Sequence, residues 1–270
     1  MKLAIFGIRK FWTRSATYVS LLVAVVLICF EFVGIGISYH STTAEERSTL
    51  IWFLTFPGAF EAVLTLVFAF VALIGLIYMA TAAGSEWTWG TLKVAVTRGH
   101  PRWQYTLSTF ASLSIILLVG LLITYAAGLA AALVGASIAG ISPGNPADPA
   151  VLPDVLVKLA RCWIGLLSLT SVAYLITMVA KSQMAGIGAV IGYFMVSIIA
   201  PALLPDFVKE IFKYLPFSIS GDAIGLQGPP GTASSASAVE PNMALLIAIG
   251  WLVACLAVAC LSVERAEVSG

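Results

Sequence analysis

Charge is scarce in this chain. Asp, Glu, Lys and Arg make up 10% of its 270 residues, where a soluble domain carries about 25%. Hydrophobic residues make up 60% and the mean hydropathy is +1.01, so the chain cannot cover a water-facing surface and is expected to sit in lipid. Histidine is scarcer still: His40 and His100 are the two present. The span order below puts them on opposite sides of the membrane, which excludes a two-histidine metal centre. The H-E-x-x-H pattern is missing, and no apolar span holds a histidine to activate a serine. Glu45 and Glu46 are adjacent, but they have no histidine partners on later spans. There is no Walker lysine loop and no dinucleotide fingerprint, so ATP hydrolysis is not expected on this chain. The glycines of the GLQGPPG stretch, 225–231, are not followed by a helix pattern. Cys29, Cys162, Cys255 and Cys260 lie in apolar segments without the paired spacing of a zinc or redox site. No catalytic residue, metal or bound cofactor is expected. A net charge of +1 with no polybasic run gives no footprint for nucleic acid. The first apolar run starts late, is long and lacks a nearby cleavage site, so a cleavable signal peptide is not expected.

Long apolar runs are abundant. Six are long enough for a hydrocarbon core of about 30 Å at 1.5 Å per helical residue: 17–38, 55–80, 105–139, 156–180, 184–204 and 243–263. The expected fold class is therefore all-α, a single polytopic transmembrane domain over 1–270. Between the spans lie a polar loop at 40–49, a Gly/Pro-rich loop at 140–153 with turn chemistry in SPGNPADP, and an outer segment at 205–241. Within that segment, Asp206 to Tyr214 reads as a short interfacial helix, and 225–238 reads as a low-complexity stretch. Six spans put both termini on one side. Lys2, Arg9, Lys10, Arg14, Lys93, Arg98, Arg102, Lys181 and Arg265 fall on that side. Arg47, Lys158, Arg161, Lys209 and Lys213 fall on or near the other. The bias makes the termini and the 84–102 connection cytoplasmic, in a multi-pass plasma-membrane protein.

The first 16 residues pattern as an interfacial helix. Ala4, Ile5, Ile8, Phe11 and Trp12 fall on one side, and Lys2, Arg9, Lys10, Thr13 and Arg14 on the other. Such a basic amphipathic helix lies in the headgroup plane, either as a lever or as a topogenic anchor. The 84–102 connection, GSEWTWGTLKVAVTRGHPR, reads as a short amphipathic helix in water. Ser85 can cap its start, and Glu86 suits the positive end of its dipole. Trp89, Leu92 and Val96 recur on one face, and Gly99 with Pro101 ends it. Trp87 and Trp89 serve either as membrane-interface anchors or as plugs for a hydrophobic cleft on a soluble partner.

Glu86, then Gly90-Thr91-Leu92-Lys93, then Thr97-Arg98-Gly99, then Arg102 resembles the signature of type-2 ABC exporter permeases. The layout is similar as well: a basic amphipathic N-terminal helix, six spans, and a long outer segment between spans five and six. One departure is the region of Thr106, Ser108 and Thr109, where the family often has a lysine. The resemblance implies that 84–102 is a coupling helix seated in a separate ATP-binding subunit. Glu86, Trp87, Trp89, Gly90, Thr91, Leu92, Lys93, Arg98 and Arg102 would form the contact. It implies two ATP-binding subunits carrying ATP and Mg, and a second copy of this chain or a homologous permease. Closure of the motor would tilt the spans between inward and outward states. An apolar or amphipathic cargo, such as a drug, antimicrobial peptide or lipid, suits the apolar spans. A channel or scaffold, and a polytopic membrane enzyme, remain as other classes.

Charges inside the spans are the remaining signal. Glu31 and Glu61 would each cost about 3 kcal/mol unpaired at mid-depth. They read as pathway lining with Lys158 or Arg161 as counter-ions, or as packing residues near the headgroups. Small residues in span three (Ala126, Ala127, Gly128, Ala130, Ala131, Ala132, Gly135) and in span five (Gly186, Gly188, Gly192) permit close helix contact. With Tyr193 and Met195, span five also reads as a dimer face or lateral gate.

Overall fold

An apolar chain in lipid must satisfy its backbone donors and acceptors internally. In the computed structural model, every regular element among the described residues is an α-helix. The structure describes 2–97, 99, 101–146, 148–203, 205, 210–226 and 239–266, without the side chains of 2–4, 44, 45, 93, 198 and 200–203. The elements are α1 (Lys2–Trp12), α2 (Ser15–Ser38), α3 (Ala44–Leu54), α4 (Gly58–Thr88), α5 (Thr91–Thr97), α6 (Arg102–Ala139), α7 (Leu152–Ala180), α8 (Gln183–Leu203), α9 (Pro216–Asp222) and α10 (Pro241–Arg265). Five of them, α2, α4, α6, α7 and α10, are long and apolar enough to cross a membrane.

Burial sorts these helices into a centre and a periphery. In the most apolar stretch of α7, 67% of residues are buried, against 22% in α2 and in α10. The core therefore forms where α4, α6 and α7 meet. It holds Leu64, Leu76, Met79, Leu113, Leu166 and Tyr174. The Tyr174 hydroxyl, fully buried, donates to the Thr106 carbonyl at 2.9 Å.

Small residues set the α2–α6 crossing, as expected for helices that cannot rely on the hydrophobic effect between them. A Cβ added at Gly36 would lie 2.5 Å from the Gly135 carbonyl oxygen, and one at Gly135 would lie 2.5 Å from that of Phe32. Gly128, Ala131 and Ala132 are buried on the same helix, and a Cβ at Gly128 would lie 3.0 Å from Ile28 of α2 and 2.6 Å from Val63 of α4. In α8 the glycines divide. Gly186 is pressed on Thr177, while Gly188 and Gly192 face open space.

Three expectations need correction. The polar loop after the first span is largely the helix α3. The Thr43 hydroxyl donates to the Glu46 carboxylate at 3.1 Å, so the Thr-x-x-Glu start signal was present in the sequence. The second span does not stop at 80 but runs to Thr88, absorbing the first turn of the expected elbow. The stretch at 205–241 turns back into the bundle instead of lying wholly outside it. Helix α9 packs against the middle of α7, where a Cβ at Gly165 would lie 2.7 Å from the Ser220 carbonyl oxygen. The Tyr193 hydroxyl accepts from the Phe217 amide at 3.1 Å, and Trp251 Nε1 donates to the Tyr214 carbonyl at 3.0 Å. Gly165 and Trp251 lie roughly 15–20 Å along their own helices. Apolar burial of Ile219, Ala223 and Ile224 draws the segment inward. Residues 206–209 and 227–238, which include part of the expected interfacial helix and most of the low-complexity stretch, lie outside the described residues.

Gly135→Ala is expected to destabilise the chain by about 1–3 kcal/mol, because backbone rather than a flexible side chain blocks the new methyl. Gly120→Ala, with nothing within 4 Å of its Cβ, should leave stability unchanged or slightly raised. Melting of the two purified variants in detergent checks the contrast.

Candidate functional site

The site expected from sequence lies at one end of the bundle, called here the elbow end. Helix α4 continues through Gly84, Ser85 and Glu86 to Thr88. A Cβ at Gly84 would lie 2.4 Å from the Cα of Gln183, so only glycine lets α4 pass the start of α8. Gly90, at φ +64°, makes the turn into α5, and Gly99, at φ +82°, follows it before α6. Both angles fall where glycine carries no steric cost. Ser85 and Glu86 therefore end a long helix rather than begin a short one, which overturns their expected capping roles. Trp89 sits in the turn itself, so Trp89, Leu92 and Val96 do not share one helical face. Among the described side chains of α5, Leu92 and Ala95 are buried.

Glu86 is the centre of this end. Its side chain is 1% exposed. Lys10 Nζ donates to its two oxygens at 2.7 and 2.9 Å, and the Thr91 hydroxyl donates at 2.6 Å. The Tyr105 hydroxyl donates to it as well, and Arg14 stands 3.8 Å away. The position is demanding. The last turn of a helix carries negative dipole charge, and a buried carboxylate without partners is strongly destabilising. Donors from α1, α5, α6 and the α1–α2 junction answer both demands. Arg14 also donates to Ser85 at 2.8 Å and lies over the Trp89 and Phe11 rings, 4.6 Å from each centroid.

The other residues implicated by sequence divide by direction. Trp87 turns inward, with Nε1 3.3 Å from Met178 Sδ and Lys181 over its ring. Arg102 donates to the carbonyls of Val263, Glu264 and Ala266 at 3.4, 3.0 and 2.7 Å, so it caps the C-terminal end of α10, as cations do at helix C-termini. Trp89, 63% exposed, and Val94, 50% exposed, point away from the bundle. The Lys93 side chain and Arg98 lie outside the described residues. On α1, Phe11 is buried and Lys10 faces Glu86, while Arg9 and Trp12 face outward. The basic side of α1 is thus partly spent on an internal contact rather than wholly offered to headgroups.

At the opposite, distal end, the four span charges do not converge. Glu61 pairs with Lys158 at 2.5 Å. Arg161 donates to Asn242 at 2.8 Å, tying α7 to the start of α10. Glu31 stands on the exposed side of α2. Sequence reasoning missed Asp154, 2.7 Å from Lys158, although its spacing four residues before that lysine was a readable signal. Among the described residues, no group of three metal-ligating side chains is present.

Glu86→Ala should cost about 3–5 kcal/mol, because it leaves the partly buried Lys10 and Arg14 without their shared carboxylate; thermal melting in detergent reads this directly. Arg102→Ala should instead fray the end of α10, seen as faster amide exchange at Val263 and Glu264 with little change in melting.

No curated protein matches the chain. A family model described as "Protein of unknown function (DUF2705)" matches residues 18–269. That match spans far more than half of the sequence, from within α2 to beyond the end of α10, and includes the whole elbow, so the chain belongs to the DUF2705 family.

Proposed function

We propose that this chain is the transmembrane subunit of an ATP-driven exporter of the type-2 ABC class. It works with a second copy or a homologous permease and with two separate ATP-binding subunits that hold ATP and Mg. The observation that carries the reading is the two-sidedness of the elbow. Glu86, Thr91 and Leu92 bind it to α1, α4 and α6 from within, while Trp89 and Val94 face outward. A segment fixed on its inner side and apolar on its outer side suits docking on a soluble partner, where tryptophan is an effective anchor. Arg14 links the exposed Trp89 ring to Glu86, so a load on the turn reaches α1 as well as α4. The Glu86 to Arg102 pattern described above supports the same class.

The reading includes six crossings. Lys10 on Glu86 and Arg102 on the end of α10 bring the helices nearest both termini to the elbow end. Both ends at one side suit an even number of crossings, and the reading counts α8, about 30 Å long, as the sixth beside the five longer helices. The lysine and arginine bias assigns the elbow end to the cytoplasm of the plasma membrane. ATP-driven closure of the motor would press on α5 and shift α4 and α6 between two arrangements. The exported compound is apolar or amphipathic, such as a drug, antimicrobial peptide or lipid.

A soluble ATPase encoded in a neighbouring reading frame should co-purify with the chain and hydrolyse ATP faster in the complex. Trp89→Ala combined with Val94→Asp should weaken that association at least about tenfold, the loss of one interface anchor, with unchanged melting of the permease. Failure of any such ATPase to bind, or full binding by the double variant, would overturn the reading.

A further inference from the structure

At the distal end, α4 and α7 begin side by side, and a cavity of about 230 Å³ opens between their first turns. Its walls include Trp52 from α3, Phe60 from α4 and Tyr125 from α6, together with Glu61, Asp154 and Lys158. Lys158 Nζ lies 2.5 Å from Glu61 and 2.7 Å from Asp154. Two carboxylates thus face one ammonium among the lining residues. They differ in origin and exposure. Glu61 reaches across from α4 and its side chain is 19% exposed, whereas Asp154 is on the lysine's own helix and 60% exposed.

This arrangement gives Lys158 a choice of partners. It can leave Glu61 and stay paired with Asp154, four residues before it on the same helix. The Glu61 side chain, 19% exposed beside aromatic and aliphatic walls, is mostly out of water, which favours a cation beside its carboxylate. A second cation entering the cavity would therefore find a carboxylate whose present partner has somewhere else to go. The aromatic walls suit the apolar body of such a ligand and, at their faces, its charge. The N-termini of α4 and α7 carry partial positive charge, but each is already faced by a first-turn carboxylate, Glu61 and Asp154 respectively.

We propose that this cavity binds an organic cation, an ammonium or guanidinium group carried on an aromatic or apolar body. Its charged group takes Glu61 from Lys158 while Lys158 remains on Asp154. The inference stands apart from the exporter reading, since it needs only this chain and no ATPase.

The probe is phenethylammonium, titrated calorimetrically into the full chain in phosphatidylcholine nanodiscs, with empty nanodiscs as the blank. The neutral 2-phenylethanol and the anionic 3-phenylpropionate serve as matched analogues. Saturable binding of the cation alone is expected, weakened about tenfold or more by Glu61→Gln, the loss of a charge-assisted bond. Asp154→Asn, at a position 60% exposed, removes the fallback partner and should weaken binding about threefold or more. It decides the matter should Glu61→Gln not fold. Equal uptake of the neutral analogue, preference for the anion, or unchanged affinity in the variants would overturn the proposal.

Discussion

A buried carboxylate at the end of an apolar helix constrains everything near it. Glu86 lies in the last turn of α4, where the helix dipole already carries negative charge, and it has almost no access to water. Such a group is tolerated only when donors converge on it. They arrive from three directions: Lys10 and Arg14 from the N-terminal segment, Thr91 from α5 and Tyr105 from α6. The requirement of one oxygen pair therefore locates α1 against the bundle, folds the elbow back on α4 and sets where α6 begins. Arg14, held at the edge of this cluster, in turn fixes Ser85 and the Trp89 ring.

Helix α4 carries an acid near each end and no charged residue between Glu61 and Glu86. At the distal end Glu61 reaches Lys158; at the elbow end Glu86 reaches α1. Along the intervening length the contacts are close and mostly apolar, with the Tyr78 hydroxyl 2.9 Å from that of Thr17. Gly75 lies against Leu117 and Thr170, and Gly84 against Gln183. With no proline inside it, α4 is a stiff rod pinned at both ends by ion pairs and packed on α6, α7 and α8 between them. It is the element that joins the elbow to the distal cavity. Helices α2 and α10, with most of their apolar surface uncovered, stand at the margin of this unit.

Much of this architecture was legible in the sequence. Each of the long apolar runs 17–38, 55–80, 105–139, 156–180 and 243–263 corresponds to a helix long enough to cross a membrane, with ends displaced by a few residues in most cases. The largest displacement is at α4, where Gly84 and Ser85 suit the start of a separate short helix. The missing side chain of Gly84 instead lets α4 pass close to the start of α8. Helix α3 was readable from Thr43 and Glu46 but was masked by the polarity around them. Glu86 stands out in the sequence as an acid in a connection between spans, where the pattern suits a helix start in water; packing instead turns it inward at a helix end. The cap that Arg102 places on the end of α10 joins residues more than 160 positions apart and has no local signature. The inward return of the chain at α9 had no periodic signature, because seven residues are too few to show one.

What the sequence by itself determined is the material: an all-helical chain, apolar enough for lipid, with few charges, most of them near helix ends and in connections. That follows from composition and run length, which average over many residues and survive local errors. Only the tertiary structure decided which of those charges are buried and with whom. Helical spacing says which side chains share a face, but not what that face meets. Lys10 and Glu86 are 76 positions apart, and Glu61 and Lys158 are 97 apart. Contacts at such separations arise from packing against third helices, through glycines whose missing side chains set how near two backbones can come.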